Sequence, residues 1–64
     1  MNILNILIKR DNMTEESALE LIKQAKEAYY EYIDNNDQER AYYICGEFFG
    51  LEPDYLIEFI NFEI

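Results

Sequence analysis

Residues 14–34 have the sequence TEESALELIKQAKEAYYEYID and form the longest regular pattern in the chain. Apolar side chains recur there at steps of three and four, the spacing that places side chains on one face of an α-helix. Thr14 is a good N-cap, and Glu15 and Glu16 follow in the first turn, where the helix dipole favours anions. The stretch therefore predicts a long helix. Its apolar face consists of Ala18, Leu21, Ile22, Ala25, Tyr29, Tyr32 and Ile33. Its opposite face consists of Glu16, Glu20, Lys23, Glu27, Tyr30 and Asp34.

The residues before this helix predict a second, shorter one. Apolar side chains at positions 3, 4, 7 and 8 indicate an amphipathic helix over Asn2–Arg10, although three isoleucines also permit a strand. Residues 11–13 predict a turn. The apolar run is unlike a signal peptide, because its cations follow the run instead of preceding it. It is also too short to span a bilayer.

The residues after the long helix indicate two further helices. Residues 34–37 are typical of a connection, with Asp37 placed to cap a third helix over 38–49. Gly50 suits the C-terminal end of that helix, and Pro53 suits the first turn of a final one. The third helix has Ala41, Ile44, Cys45 and Phe48 on one side, with Tyr42 and Phe49 widening it. The final helix has Tyr55, Leu56, Phe59 and Ile60 at helical spacing.

These elements predict one all-α domain over residues 1–64, a compact bundle of three to four short helices with one long central helix. A chain of this size buries only about 60% of the surface that its unfolded form exposes. Half of the residues are nevertheless apolar and 16% are aromatic. We therefore expect part of the apolar surface to be covered by a second copy, in a homodimer, or by a partner.

The negative charge is concentrated in one part of the chain. From Glu27 onward there are ten carboxylates against one cation, Arg40, whereas residues 1–26 have four of each, so the later part carries the whole net charge of −9. All ten aromatic residues lie in that part too. Such a charge opposes direct binding to nucleic-acid phosphates or to an anionic membrane. It favours attraction to a basic site on another protein.

The composition argues against catalysis and against a bound metal or cofactor. Histidine is absent, which removes the usual general base and the commonest transition-metal ligand. The single cysteine, Cys45, has no neighbouring base to activate it and is predicted to be a buried structural thiol in a reducing, cytoplasmic setting. The acidic segment 34–39 lacks the spacing of an EF-hand loop, which would need a glycine at Glu39 and a glutamate at Cys45.

The candidate partner-binding residues lie around the connection between the second and third helices. Adjacent tyrosines on a helix point about 100° apart, so some of the chain's tyrosines must be exposed. Tyrosine is also enriched at interfaces. The predicted carboxylates are Glu27, Glu31, Asp34, Asp37 and Glu39, and the predicted aromatic anchors are Tyr30 and Tyr43. The tyrosines could equally line the edge of the core, and the charge could serve solubility alone.

Two segments also carry a resemblance to a known family. They are residues 10–18, RDNMTEESA, and residues 49–56, FGLEPDYL. Together they resemble a family of small acidic helical proteins of phages and prophages in Gram-positive bacteria. The resemblance implies the class of very small phage proteins that includes anti-restriction, anti-CRISPR and anti-Hachiman inhibitors, and it implies no catalytic residues. A protein that mimics DNA presents a dense anionic surface in place of the phosphate backbone. The aromatic content of this chain departs from that of a typical DNA mimic, which indicates that shape and apolar contacts count as much as charge.

The sequence thus predicts a protein of the host cytoplasm that binds and inhibits a bacterial immune protein, namely a nucleic-acid-handling nuclease or helicase. The acidic, aromatic-rich surface would make the contact, without direct binding to nucleic acid or membrane. The alternative is a small dimeric regulatory or assembly adaptor, whose acidity confers only solubility.

Overall fold

The computed structural model describes residues 3–63, and in that range it consists of helices with no strand. The all-α prediction is confirmed. The Cα positions extend over 33 × 20 × 17 Å. The α-helices are α1 (Ile3–Arg10), α2 (Glu15–Asp34), α3 (Gln38–Tyr42), α4 (Ile44–Phe49) and α5 (Leu56–Asn61), with a 3-10 helix at Pro53–Tyr55. Within the described range, no helix combines the length and the apolarity needed to cross a membrane.

Helix α2 is the long central helix that the sequence predicts. Thr14 caps it, because its Oγ1 accepts a hydrogen bond from the backbone N–H of Ser17 at 3.1 Å. Asn35 ends it, and its N–H donates to the carbonyl of Glu31. The buried stripe consists of Ala18, Ile22 and Ala25. The face predicted to be polar is exposed along its whole length.

Residues 3–10 form a helix, which excludes the alternative of a strand; Asn2 lies outside the described residues. Ile3, Ile6 and Leu7 of α1 are buried.

At the end of α1, Arg10 donates through Nη2 to the carbonyl of Phe49, where a cation complements the C-terminal end of α4. Arg10 also forms a two-point ion pair with Asp11, through N–O distances of 2.9 and 2.8 Å. This hydrogen bonding lowers the pKa of Asp11 and raises that of Arg10.

The third predicted helix is divided into α3 and α4 at Tyr43, which is a correction to the single helix predicted over 38–49. Tyr43 has φ −96° and ψ 17°, outside the helical region. Its N–H still donates to the carbonyl of Glu39, and its carbonyl accepts from Gly46 and Glu47. Both α3 and α4 contact α2. The bend at Tyr43 therefore lets two short segments follow one long helix.

Helix α4 ends at Gly50, as predicted, in a left-handed conformation with φ 65° and ψ 31°. The N–H of Leu51 donates to the carbonyl of Cys45 and that of Gly50 donates to Gly46, which satisfies two carbonyls of the last turn. Pro53 then starts a 3-10 helix that leads directly into α5. The final helix thus begins with a tighter turn than the sequence pattern indicates.

The core lies where α1, α2, α4 and α5 meet. Its buried residues are Ile3, Leu7, Ala18, Ile22, Ala25, Ile44, Cys45, Phe49 and Phe59. The ring of Phe59 contacts those of Tyr29 and Phe49, each with a centroid distance of 5.8 Å. Three side chains that the sequence assigns to apolar faces are exposed instead, by 44% for Ile33, 49% for Tyr42 and 44% for Ile60.

Candidate partner-binding surface

Four of the predicted partner-binding residues share one face of α2. Glu27, Tyr30, Glu31 and Asp34 follow the i, i+3, i+4, i+7 pattern that aligns side chains along a helix. All four are exposed. They are exposed because the buried stripe lies on the other side of α2, where the helix packs on α1, α3 and α4. The sequence pattern alone was sufficient to predict this arrangement.

Asp37 has a structural role in addition to any role at the surface. Its Oδ1 accepts a hydrogen bond from the backbone N–H of Arg40 at 3.4 Å, which caps α3. Its Oδ2 lies 3.6 Å from Nε of Arg40 in an exposed ion pair. Glu39 in the first turn of α3 is exposed to solvent. A test of the charge of Asp37 must therefore preserve the cap.

A polar contact between α2 and α4 lies beside the connection and was not predicted. The hydroxyl of Tyr32 donates to Oε2 of Glu47 at 2.8 Å, and this hydrogen bond raises the pKa of Tyr32. The guanidinium of Arg40 lies 5.7 Å from the centre of the Tyr32 ring. Arg40, the one cation in this part of the sequence, is therefore already engaged by Asp37 and Tyr32. No local pattern could reveal a contact between residues fifteen positions apart.

Tyr42 and Tyr43 form an exposed aromatic pair at the bend between α3 and α4. Their rings meet edge to face with a centroid distance of 4.9 Å, and 53% of Tyr43 is exposed. The exposure of Tyr43 agrees with the sequence analysis, whereas Tyr42 was assigned to the buried side. The bend explains the difference, because a continuous helix would place these neighbours about 100° apart.

Glu27 and Tyr30 face a different environment from the other predicted residues. Together with Lys23 and Lys26 of α2 they form one wall of an open groove of about 620 Å³. Ile60, Phe62 and Glu63, at the end of α5 and beyond it, form the other wall. We call this the α2–α5 groove. The structure thus divides the predicted site into this groove and a surface around the connection.

Lys26 joins the two walls of the α2–α5 groove. Its Nζ donates to the carbonyl of Ile60 at 2.9 Å and lies 5.2 Å from the centre of the Phe59 ring. Partial burial lowers the pKa of Lys26. The cation therefore supports the last turn of α5, and it contributes positive charge to the groove.

Within residues 3–63, neither Cys45 nor the carboxylates show the features of a reactive thiol or of a metal-binding site. Cys45 is fully buried, and burial raises its pKa to about 11. Its thiol is therefore protonated at neutral pH and is not a reactive nucleophile. Within residues 3–63, no group of three or more cysteines and carboxylates is arranged to hold a metal ion.

Comparisons with known proteins found no relative. No protein-family profile matches the chain, and neither a curated protein sequence nor a solved structure is similar to it.

Proposed function

We propose that the protein is a phage-type anti-defence protein, which binds and inhibits a bacterial immune protein that handles nucleic acid. The observation that carries the proposal is the acidic surface around the α2–α3 connection, with the exposed tyrosine pair beside it. The acidic surface consists of Glu31, Asp34, Asp37, Glu39, Tyr42 and Tyr43. Glu27 and Tyr30, the other two residues predicted from the sequence, line the α2–α5 groove instead.

The charge of this surface favours a basic partner. The last 38 residues contain ten carboxylates and a single cation, and that cation, Arg40, is paired with Asp37. A protein that holds nucleic acid presents a positive channel, where an anionic surface accelerates encounter and competes with phosphates. The inhibitor would thus occupy the channel in place of the nucleic acid.

The tyrosines would supply the apolar part of the contact. Charge complementarity contributes more to specificity and association rate than to affinity, whereas buried aromatic side chains dominate the energy of many interfaces. Tyr42 and Tyr43 each expose about half of their surface. Their edge-to-face packing holds the rings in place before binding, which lowers the entropy lost on association.

The test is phage plating on bacteria that carry nuclease- or helicase-based defence systems, with and without expression of the protein. Expression of the wild-type chain should raise the plating efficiency on at least one such strain. The variant E31K/D34K/D37N should abolish the rise, because it removes the acidic charge while the new asparagine side chain is still a good N-cap for α3. Binding to the captured defence protein should weaken with salt in the wild type.

The matched control is the variant E15Q/E16K/E20K. It changes the net charge by the same amount at the other end of α2, where Glu16 lies about 27 Å from Asp34 along the helix. It should inhibit as the wild type does. Equal loss of activity in both variants, or none in either, would contradict the role of the acidic surface.

The exposed apolar side chains also favour a second candidate, a dimeric adaptor whose acidity serves solubility. Ile57 exposes 71% of its surface and Tyr30 exposes 59%, so both side chains are available for apolar contacts with a partner. An adaptor of this kind would bind its partner through apolar contacts. Association that is insensitive to salt, together with unchanged phage plating, would favour it.

A further inference from the structure

The α2–α5 groove differs in charge from the rest of the molecule. Among its charged residues, Lys23 and Lys26 balance Glu27 and Glu63. The chain has fourteen carboxylates and five cations in total, so the full net charge of −9 lies outside the groove. The groove is therefore a neutral region on a strongly anionic protein. Another anionic molecule can approach it without meeting a surplus of like charge.

The groove is also next to a large part of the exposed apolar surface. Tyr30 of α2 and Ile60 of α5 both line it, with 59% and 44% of their surfaces exposed. Ile57 lies one turn before Ile60 on α5 and is 71% exposed, which extends the apolar area along that helix. A chain of this size gains stability when such a surface is buried by oligomerisation.

We infer that the α2–α5 groove is the interface of a homodimer in which two copies of the chain pair about a two-fold axis. Two-fold pairing brings the same residues together from both copies, so that each contact occurs twice. Lys23 of each copy then faces a carboxylate of the other groove, either Glu27 or Glu63, around a centre formed by Tyr30 and Ile60. A groove with both signs of charge is complementary to itself, whereas a purely acidic or basic partner would leave one sign unpaired.

The size of the molecule allows such a dimer. A stable interface buries about 800 Å² on each partner, and the chain exposes 4506 Å². The groove and the adjoining face of α5 would thus have to cover less than a fifth of the surface. The acidic surface around the α2–α3 connection remains free, and the dimer would present it twice.

The experiment is sedimentation equilibrium of the full chain from micromolar to millimolar concentration at physiological salt. The wild type should dimerise. K23E should raise the dimer Kd at least about tenfold, because it gives each groove a surplus of negative charge that faces its copy. K9E, which changes the net charge equally on the exposed face of α1, should leave the Kd unchanged. If Lys23 faces Glu27 of the second copy, the swap K23E/E27K should restore the dimer, and if it faces Glu63, the swap K23E/E63K should restore it.

A second pair of variants tests the apolar centre. Ile60 and Ile33 are equally exposed, at 44%, but only Ile60 lines the groove. I60E should yield a monomer and I33E should remain dimeric, with both retaining the helical circular dichroism of the wild type. A wild type that stays monomeric throughout the range would overturn the inference and leave the groove open to another occupant. Equal dissociation of I60E and I33E, or of K23E and K9E, would overturn it as well.

Discussion

Gly50 and Gly46 lie one turn apart in the same short segment, but only Gly50 has a backbone conformation that favours glycine. Gly50 has φ 65°, where an L-residue is disfavoured by about 1–2 kcal/mol. A Cβ there would meet only the far end of Arg10 at 3.9 Å, so the cost lies in the backbone and not in a clash. Gly46 lies inside α4, and its added Cβ would meet the carbonyl of Leu51 at 3.5 Å, an ordinary contact.

We therefore expect alanine to have opposite effects at the two glycines. G50A should lower the free energy of unfolding by about 1–2 kcal/mol. G46A should raise it by about 0.5–1 kcal/mol, because alanine loses less backbone entropy in a helix. Urea denaturation followed by circular dichroism measures both. A shift in the same direction for the two variants would contradict the left-handed end of α4.

At the scale of the elements, α5 depends on one side chain for its place in the core. Phe59 is the only residue of α5 that is fully buried among those described, and its ring contacts both Tyr29 of α2 and Phe49 of α4. Lys26 also binds the carbonyl of Ile60 at the end of the helix. Removing the Phe59 ring would therefore free both α5 and one wall of the α2–α5 groove.

We expect F59A to unfold the protein. The loss of a buried phenylalanine costs about 3–5 kcal/mol, which equals the stability that the core of so small a domain supplies. F59L should fold with a lower midpoint, because it retains most of the apolar volume. E58A, at an exposed neighbour on the same helix, should change the free energy of unfolding by less than about 0.5 kcal/mol. Thermal and urea unfolding would show whether F59A retains a cooperative transition.

At the scale of the whole molecule, the density of negative charge determines the response to salt. The Debye length is about 30 Å at 0.01 M salt and about 8 Å at 0.15 M. The longest dimension of the Cα positions is 33 Å. At low salt every carboxylate therefore repels nearly every other, whereas at physiological salt only near neighbours interact.

We expect the Tm to rise by several degrees when sodium chloride increases over this range, because screening relieves the self-repulsion that opposes compaction. A gain of about 1 kcal/mol corresponds to roughly 4–8 °C for a domain of this size. Scanning calorimetry measures the shift, and potassium chloride should give the same result if screening is the cause. A Tm that falls with salt would show that local ion pairs outweigh the general repulsion.

Much of the local structure follows from the sequence. The caps at Thr14 and Asp37 and the left-handed end at Gly50 depend on bonds between residues at most six positions apart. Short-range chemistry of this kind is visible in residue type and spacing. The stripe of exposed residues along α2 and the burial of Cys45 follow from helical periodicity for the same reason.

The way in which the helices pack is a property of the tertiary structure. The bend at Tyr43 and the exposure of Ile33, Tyr42 and Ile60 depend on where each helix crosses its neighbours, which periodicity does not encode. The contacts of Arg10 with Phe49 and of Lys26 with Ile60 join residues 39 and 34 positions apart. Helical spacing therefore determined which residues share a face, whereas packing determined which faces meet. It was packing that separated Glu27 and Tyr30, in a neutral groove, from the acidic surface around the α2–α3 connection.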